Sequence, residues 1–164
     1  MSSQNNILQQ WVTPYYLQRS TINKLKKKFT SAKPFPYLKL NNFFQEEKIK
    51  RLIFAISKEK FIPKEADLFN FSQTSDLAGT PHKVLLQFYT FLSSSEFCVY
   101  LSQITQIKIR KGVLDMAGAL YQKGEYLLPH DDQLEGRAIA YFLYLTTLQD
   151  KDGGKLQLFS TRNN

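Results

Sequence analysis

The chain has 164 residues, the length of one ordinary domain. Hydrophobic residues make up 43% and charged residues 22%, which excludes wholesale disorder, and the longest apolar run, Ala138 to Leu145, is far too short to span a bilayer. The formal charge is +8, and residues 1–50 carry nine basic side chains against two acidic ones, so most of the excess sits at the front.

Residues 1–30 read as one or two helices broken near Pro14, with Ile22, Leu25 and Phe29 at helical spacing. The charge excess centres on Lys24, Lys26, Lys27 and Lys28. Such a segment attracts RNA, ribosomes or an anionic surface, or it is simply a solvated helix face. Trp11, Tyr15, Tyr16 and Phe29 stack on bases in the first reading and dock the arm on the domain in the second. Pro34 and Pro36 end this region, so a basic helical arm, 1–33, precedes a domain at 34–164. Tyr37 to Leu40 reads as a short strand. Asn42, with Gln45 three residues on, has the spacing of a capping box. Ile49, Leu52, Ile53 and Ile56 then form the apolar stripe of a helix near 45–58.

Residues 61–80 carry no decisive pattern. Residues 82–93 and 95–106 read as helices, the first with Val84, Leu85, Phe88 and Leu92 on one face. After Gly112 the pattern changes to strands: Val113 to Tyr121, a turn at Lys123-Gly124, extended chain at Tyr126 to His130, Arg137 to Thr147 apolar on both faces, a turn at Asp152-Gly153-Gly154, and Lys155 to Ser160. Helices first and at least four strands in the last fifty residues predict an α+β domain with a mainly antiparallel sheet or barrel. The single cysteine, Cys98, excludes an internal disulfide and makes a reducing, cytoplasmic compartment the expectation.

His130-Asp131-Asp132 is the most informative triplet. In extended chain, residues i and i+2 share a face, so His130 and Asp132 aim an imidazole and a carboxylate at one point. Two such neighbours fill adjacent positions of a metal octahedron. A lone His-x-Asp is common in surface loops, so the tripeptide needs its surroundings.

Those surroundings are Tyr121-x-x-Gly124-x5-His130-x-Asp132, Glu135-Gly136-Arg137, Ala140-x3-Tyr144-Leu145 and Gly153-Gly154-x-Leu156-x-Leu158-Phe159. Together they resemble the Fe(II)/2-oxoglutarate dioxygenases, closest to the branch of ribosomal-protein prolyl 3-hydroxylases and their bacterial relatives. Upstream, Pro36-Tyr37-Leu38-x-Leu40-x-Asn42-Phe43-Phe44 and Phe71-x-Gln73-x-Ser75-Asp76-Leu77 are similar to two further segments of that branch. The resemblance implies a double-stranded β-helix, or jelly roll, with supporting helices. It implies Fe(II) on His130 and Asp132, and 2-oxoglutarate beside Tyr121 and Tyr144, with ascorbate as an optional accessory. It implies hydroxylation of a peptidyl proline, with succinate as the co-product.

The family also uses a second histidine downstream and, a little beyond it, an arginine that pairs with the far carboxylate of the co-substrate. No histidine follows His130, and His82 lies well upstream. The pattern therefore reads as the front half of a catalytic domain: a fragment, one part of a split enzyme, or a decayed paralogue. The alternatives to an enzyme are a non-catalytic remnant and a basic module that binds RNA or a ribosome.

Overall fold

A computed structural model describes residues 7–131 and 136–160. Three N-terminal helices, α1 (Ile7–Trp11), α2 (Pro14–Leu17) and α3 (Arg19–Ser31), precede α4 (Glu46–Ile56). Pro14 stands in the first turn of α2, where its missing N–H costs nothing. The hairpin β1 (Ile62–Ala66) and β2 (Phe69–Gln73) follows, then α5 (Lys83–Leu92), α6 (Ser95–Thr105), β3 (Ala119–Leu120) and β4 (Tyr126–Leu127). Helices and an antiparallel sheet share one chain, an α+β arrangement.

The core is aromatic. Trp11 packs on Phe88 and Phe91 with ring centroids 5.1 and 5.6 Å apart, and Phe91, wholly buried, lies 4.7 Å from Phe97. The N-terminal helices are part of this core: Trp11, Val12, Tyr16 and Leu25 are buried, and α3 packs along α6. Tyr16 donates to the Asn41 carbonyl at 2.6 Å, and Tyr100 donates to the Tyr16 carbonyl at 3.1 Å. Of the aromatics near the lysines, Trp11 and Tyr16 therefore dock the helices on the domain, while Tyr15 stays exposed.

Several expected elements shift. The helix expected near 45–58 begins at Glu46, with Gln45 rather than Asn42 at its N-cap. The reason lies in tertiary pairing. Val12 bridges Phe44, and the Gln45 N–H donates to the Trp11 carbonyl at 2.8 Å, so the chain stays extended through residue 45. Asn42 turns with φ +52°, a conformation asparagine tolerates. Tyr37 to Leu40 forms no ladder among the described residues, although Leu38 and Leu40 pack on the core while Tyr37 and Lys39 face solvent.

The sheet differs most from expectation. Two of its strands come from residues 62–73, a stretch the sequence left unassigned. Asp67 and Leu68 make its two-residue turn, with Ala66 opposite Phe69. All of β1 is exposed, and Pro63, Lys64 and Glu65 suit an edge that discourages further pairing. β2 is central, with β1 on one side and both β3 and β4 on the other. Of the strand expected over 113–121, only Ala119–Leu120 joins a ladder. Residues 137–147 and 155–160 join none among the described residues, and 137–147, expected to be buried on both faces, are nearly all exposed. Apolar patterning makes a segment ready to pair; a strand exists only where a partner backbone accepts its hydrogen bonds.

Candidate functional site

The chain runs along β2 twice, with an excursion between. Ser72 and Gln73 face Leu120 and Ala119, while Phe69 and Asn70 face Leu127 and Tyr126. Only Phe71 is left opposite the loop 121–125. The Glu125 carboxylate accepts from the Gln122 N–H at 2.6 Å, and Gly124 turns with φ +89°, which a side chain would resist. The Lys123-Gly124 turn expected from sequence is therefore present. Ahead of the loop, Gly118 and Thr74 exchange two hydrogen bonds of 2.9 Å, and the Leu77 N–H donates to the Met116 carbonyl at 2.8 Å. The segment around Phe71 to Leu77 and the segment leading to His130 thus meet as neighbours.

Tyr121 stacks on Phe71, with centroids 4.9 Å apart and planes 21° apart. Burial raises its pKa first; the Tyr144 phenol and the Glu125 carboxylate push it the same way. Tyr121 is therefore a neutral hydroxyl donor at ordinary pH.

His130 follows β4 and is exposed. Its Nδ1 lies 2.9 Å from the Leu128 carbonyl. A carbonyl only accepts, so the contact places a proton on Nδ1 and leaves Nε2 as the ring nitrogen with which this side chain would meet a metal. Metal-ligating histidines are commonly fixed in this way. The donor chemistry of His130 thus fits Fe(II). Asp132, its expected partner, lies outside the described residues, as does Glu135. Among the described residues no three of His, Cys, Asp and Glu gather as a metal-holding group. His82 sits at the N-cap of α5.

The role of Phe71, which stands in the upstream segment similar to the family, is not legible in the sequence. Phe71 supplies the platform for Tyr121, which required knowing that β2 pairs with β3.

Comparison with known proteins places this geometry in context. Residues 116–164 match the 2OG-Fe(II) oxygenase superfamily, and that stretch contains Tyr121, His130, Asp132 and Tyr144. The chain is 36% identical over 132 residues to prolyl 3-hydroxylase OGFOD1 of Mus musculus, covering 78% of this chain and 24% of that protein. It is 35% identical over 138 residues to prolyl 3-hydroxylase OGFOD1 of Xenopus laevis, covering 80% and 26%. Against prolyl 3-hydroxylase sudestada1 of Drosophila melanogaster it is 30% identical over 112 residues, covering 65% and 20%. The chain thus spans about a quarter of the length of the curated relatives it matches. The resemblance to the 2OG-Fe(II) dioxygenases and their prolyl 3-hydroxylases, read from the residues around His130, is borne out.

Proposed function

We propose that this chain contributes the front of an Fe(II)- and 2-oxoglutarate-dependent dioxygenase that hydroxylates a peptidyl proline. The observation that carries the reading is the match of residues 116–164, which hold every expected site residue, to the 2OG-Fe(II) oxygenase superfamily. His130 offers Nε2 to the metal because Leu128 holds its Nδ1 proton. Asp132 supplies the carboxylate ligand. Tyr121, kept neutral by burial on Phe71, and Tyr144 donate to a carboxylate of 2-oxoglutarate. The iron, when bound, supplies the oxidising chemistry, and the protein orients the reactants and limits water. Ascorbate serves as an accessory reductant. The sheet β1–β4 belongs in this reading to a double-stranded β-helix, and the protein works in a reducing cytoplasm. The completed protein, this chain joined to a segment that supplies the second histidine and the arginine, is expected to release succinate when given Fe(II), 2-oxoglutarate and a proline-containing ribosomal peptide. His130→Ala and Asp132→Ala each abolish that release. Release that survives both changes rejects the metal assignment, and no release from the unaltered protein favours a non-catalytic remnant.

A second reading rests on α3. Lys24, Lys26, Lys27 and Lys28 are all exposed, and the helix holds no acidic residue. This face of the arm, residues 1–33, is proposed to contact ribosomal RNA. Affinity for single-stranded RNA is expected to fall steeply with salt and to fall further when the four lysines are changed to glutamine. Affinity indifferent to both removes the reading.

A further inference from the structure

We infer that the groove between α4 and α5 docks an acidic peptide segment carrying one apolar anchor side chain. This inference goes beyond the dioxygenase reading and does not depend on it. The groove is open, has a volume of about 400 Å³, and is floored by Phe54, Ala55 and Val84. Its rim carries Lys50, Arg51, Lys58 and Lys83 beside His82, and among the described residues no acidic side chain lines it. Glu46 and Glu47 engage Lys50 at 3.0 and 2.9 Å, and Glu59 is taken by the Thr80 hydroxyl. Arg51, Lys58 and Lys83 form no ion pair within the described residues, so three cations surround a carbon floor with no carboxylate facing them.

Charge complementarity selects an anion, and the floor selects its type. Phe54 is 68% exposed, so its ring offers apolar area that a partner's side chain can cover. The Lys58 ammonium sits 5.3 Å over one face of that ring, where it competes with a stacked nucleobase. A phosphodiester backbone could meet the cations of the rim but offers no apolar side chain to cover the carbon floor. An aliphatic or aromatic anchor fits beside Phe54 and Val84, and carboxylates flanking it in sequence reach the rim. Arg51 can hold a carboxylate through two parallel N–H donors. This is the anchor-and-rim arrangement of small protein interfaces.

The test is fluorescence anisotropy with a labelled peptide of Asp and Glu around a central Leu-Phe pair. Controls are an acidic peptide without the apolar pair and an oligouridylate of equal charge. The anchored peptide is expected to bind about tenfold tighter than the anchor-free one. Phe54→Ala, on an exposed side chain whose loss does not threaten folding, erases that difference. Arg51→Glu with Lys83→Glu weakens binding about tenfold or more, while Lys26→Glu with Lys27→Glu, the same charge change on α3, leaves it within about twofold. Three results overturn the inference: equal weakening by the two charge changes, indifference to Phe54→Ala, or tighter binding of the oligouridylate with the same dependence on Phe54.

Discussion

At the scale of single residues, buried phenols tie stability to pH. Tyr100 is 3% exposed, and its hydroxyl donates to the Tyr16 carbonyl at 3.1 Å. Burial, and then the neighbouring Tyr16 phenol, push its pKa well above the ordinary tyrosine range. A tyrosine in the unfolded chain releases its proton near pH ~10. Above that pH the folded state holds the proton and the unfolded state does not, so the unfolded state binds fewer protons and stability falls as pH rises. The contribution is fully present below the unfolded pKa and is lost progressively on the alkaline side. Tyr16, also buried, is shifted in the same direction and shares the effect. Tyr100→Phe is expected to cost about 1 kcal/mol at neutral pH through the lost hydrogen bond. Its stability should then decline less steeply than that of the parent between about pH 9 and 11. Urea unfolding across that range measures both quantities, and parallel alkaline limbs would assign the slope to other groups.

At the scale of elements, helices were legible and most strands were not. The stripe Leu85, Phe88 and Leu92 is buried as the 3.6-residue period requires, and α5 and α6 begin and end within a residue or two of their expected limits. A helix satisfies its own backbone, so local spacing suffices to find it. The hairpin at 62–73 was missed because β1 is an exposed edge without alternation, and its turn, Asp67-Leu68, lacks the usual glycine. The run 138–145 was overread for the opposite reason: strong apolar patterning with no ladder partner among the described residues. The site was legible as a set of residue types around His130, whereas its assembly was not. Nothing local states that Phe71 faces the loop of Tyr121, or that α4 reaches the start of β3. That last contact is tight. A Cβ placed on Gly118 would lie 2.9 Å from Ile56 Cδ1 and 3.3 Å from Thr74 Cγ2. Gly118→Ala should therefore destabilise the packing of α4 on the sheet by roughly 1–3 kcal/mol. Ile56→Val removes the offending Cδ1 atom, so the double variant should be more stable than the sum of the two single changes by about 1 kcal/mol. Strict additivity in denaturant unfolding would show that the sheet moves instead of the isoleucine.

At the scale of the whole molecule, charge and apolar surface oppose each other. Tyr141, Phe142, Leu143, Tyr144, Leu148, Leu156 and Phe159 are all exposed, and they lie in two stretches, 141–148 and 156–159, that join no ladder among the described residues. Uncovered apolar side chains on chain that is ready to pair favour association, through both surface burial and strand addition. The net charge of +8, concentrated in the first fifty residues, resists it through repulsion between copies. Salt separates the two effects. It screens repulsion between charges more than about 10 Å apart at ~0.1 M and leaves apolar burial intact. The isolated 164-residue chain is therefore expected to sediment above its monomer mass of 19.1 kDa, and to do so increasingly as salt is raised. Binding of the lysine face of α3 to a polyanion should run the other way and weaken with salt. Phe142→Asp with Phe159→Asp places charge within the apolar stretches and should restore the monomer at all salt concentrations, while changes at Lys24 and Lys28 should promote association at low salt. A monomer at every salt concentration would mean that these side chains are covered within the chain itself.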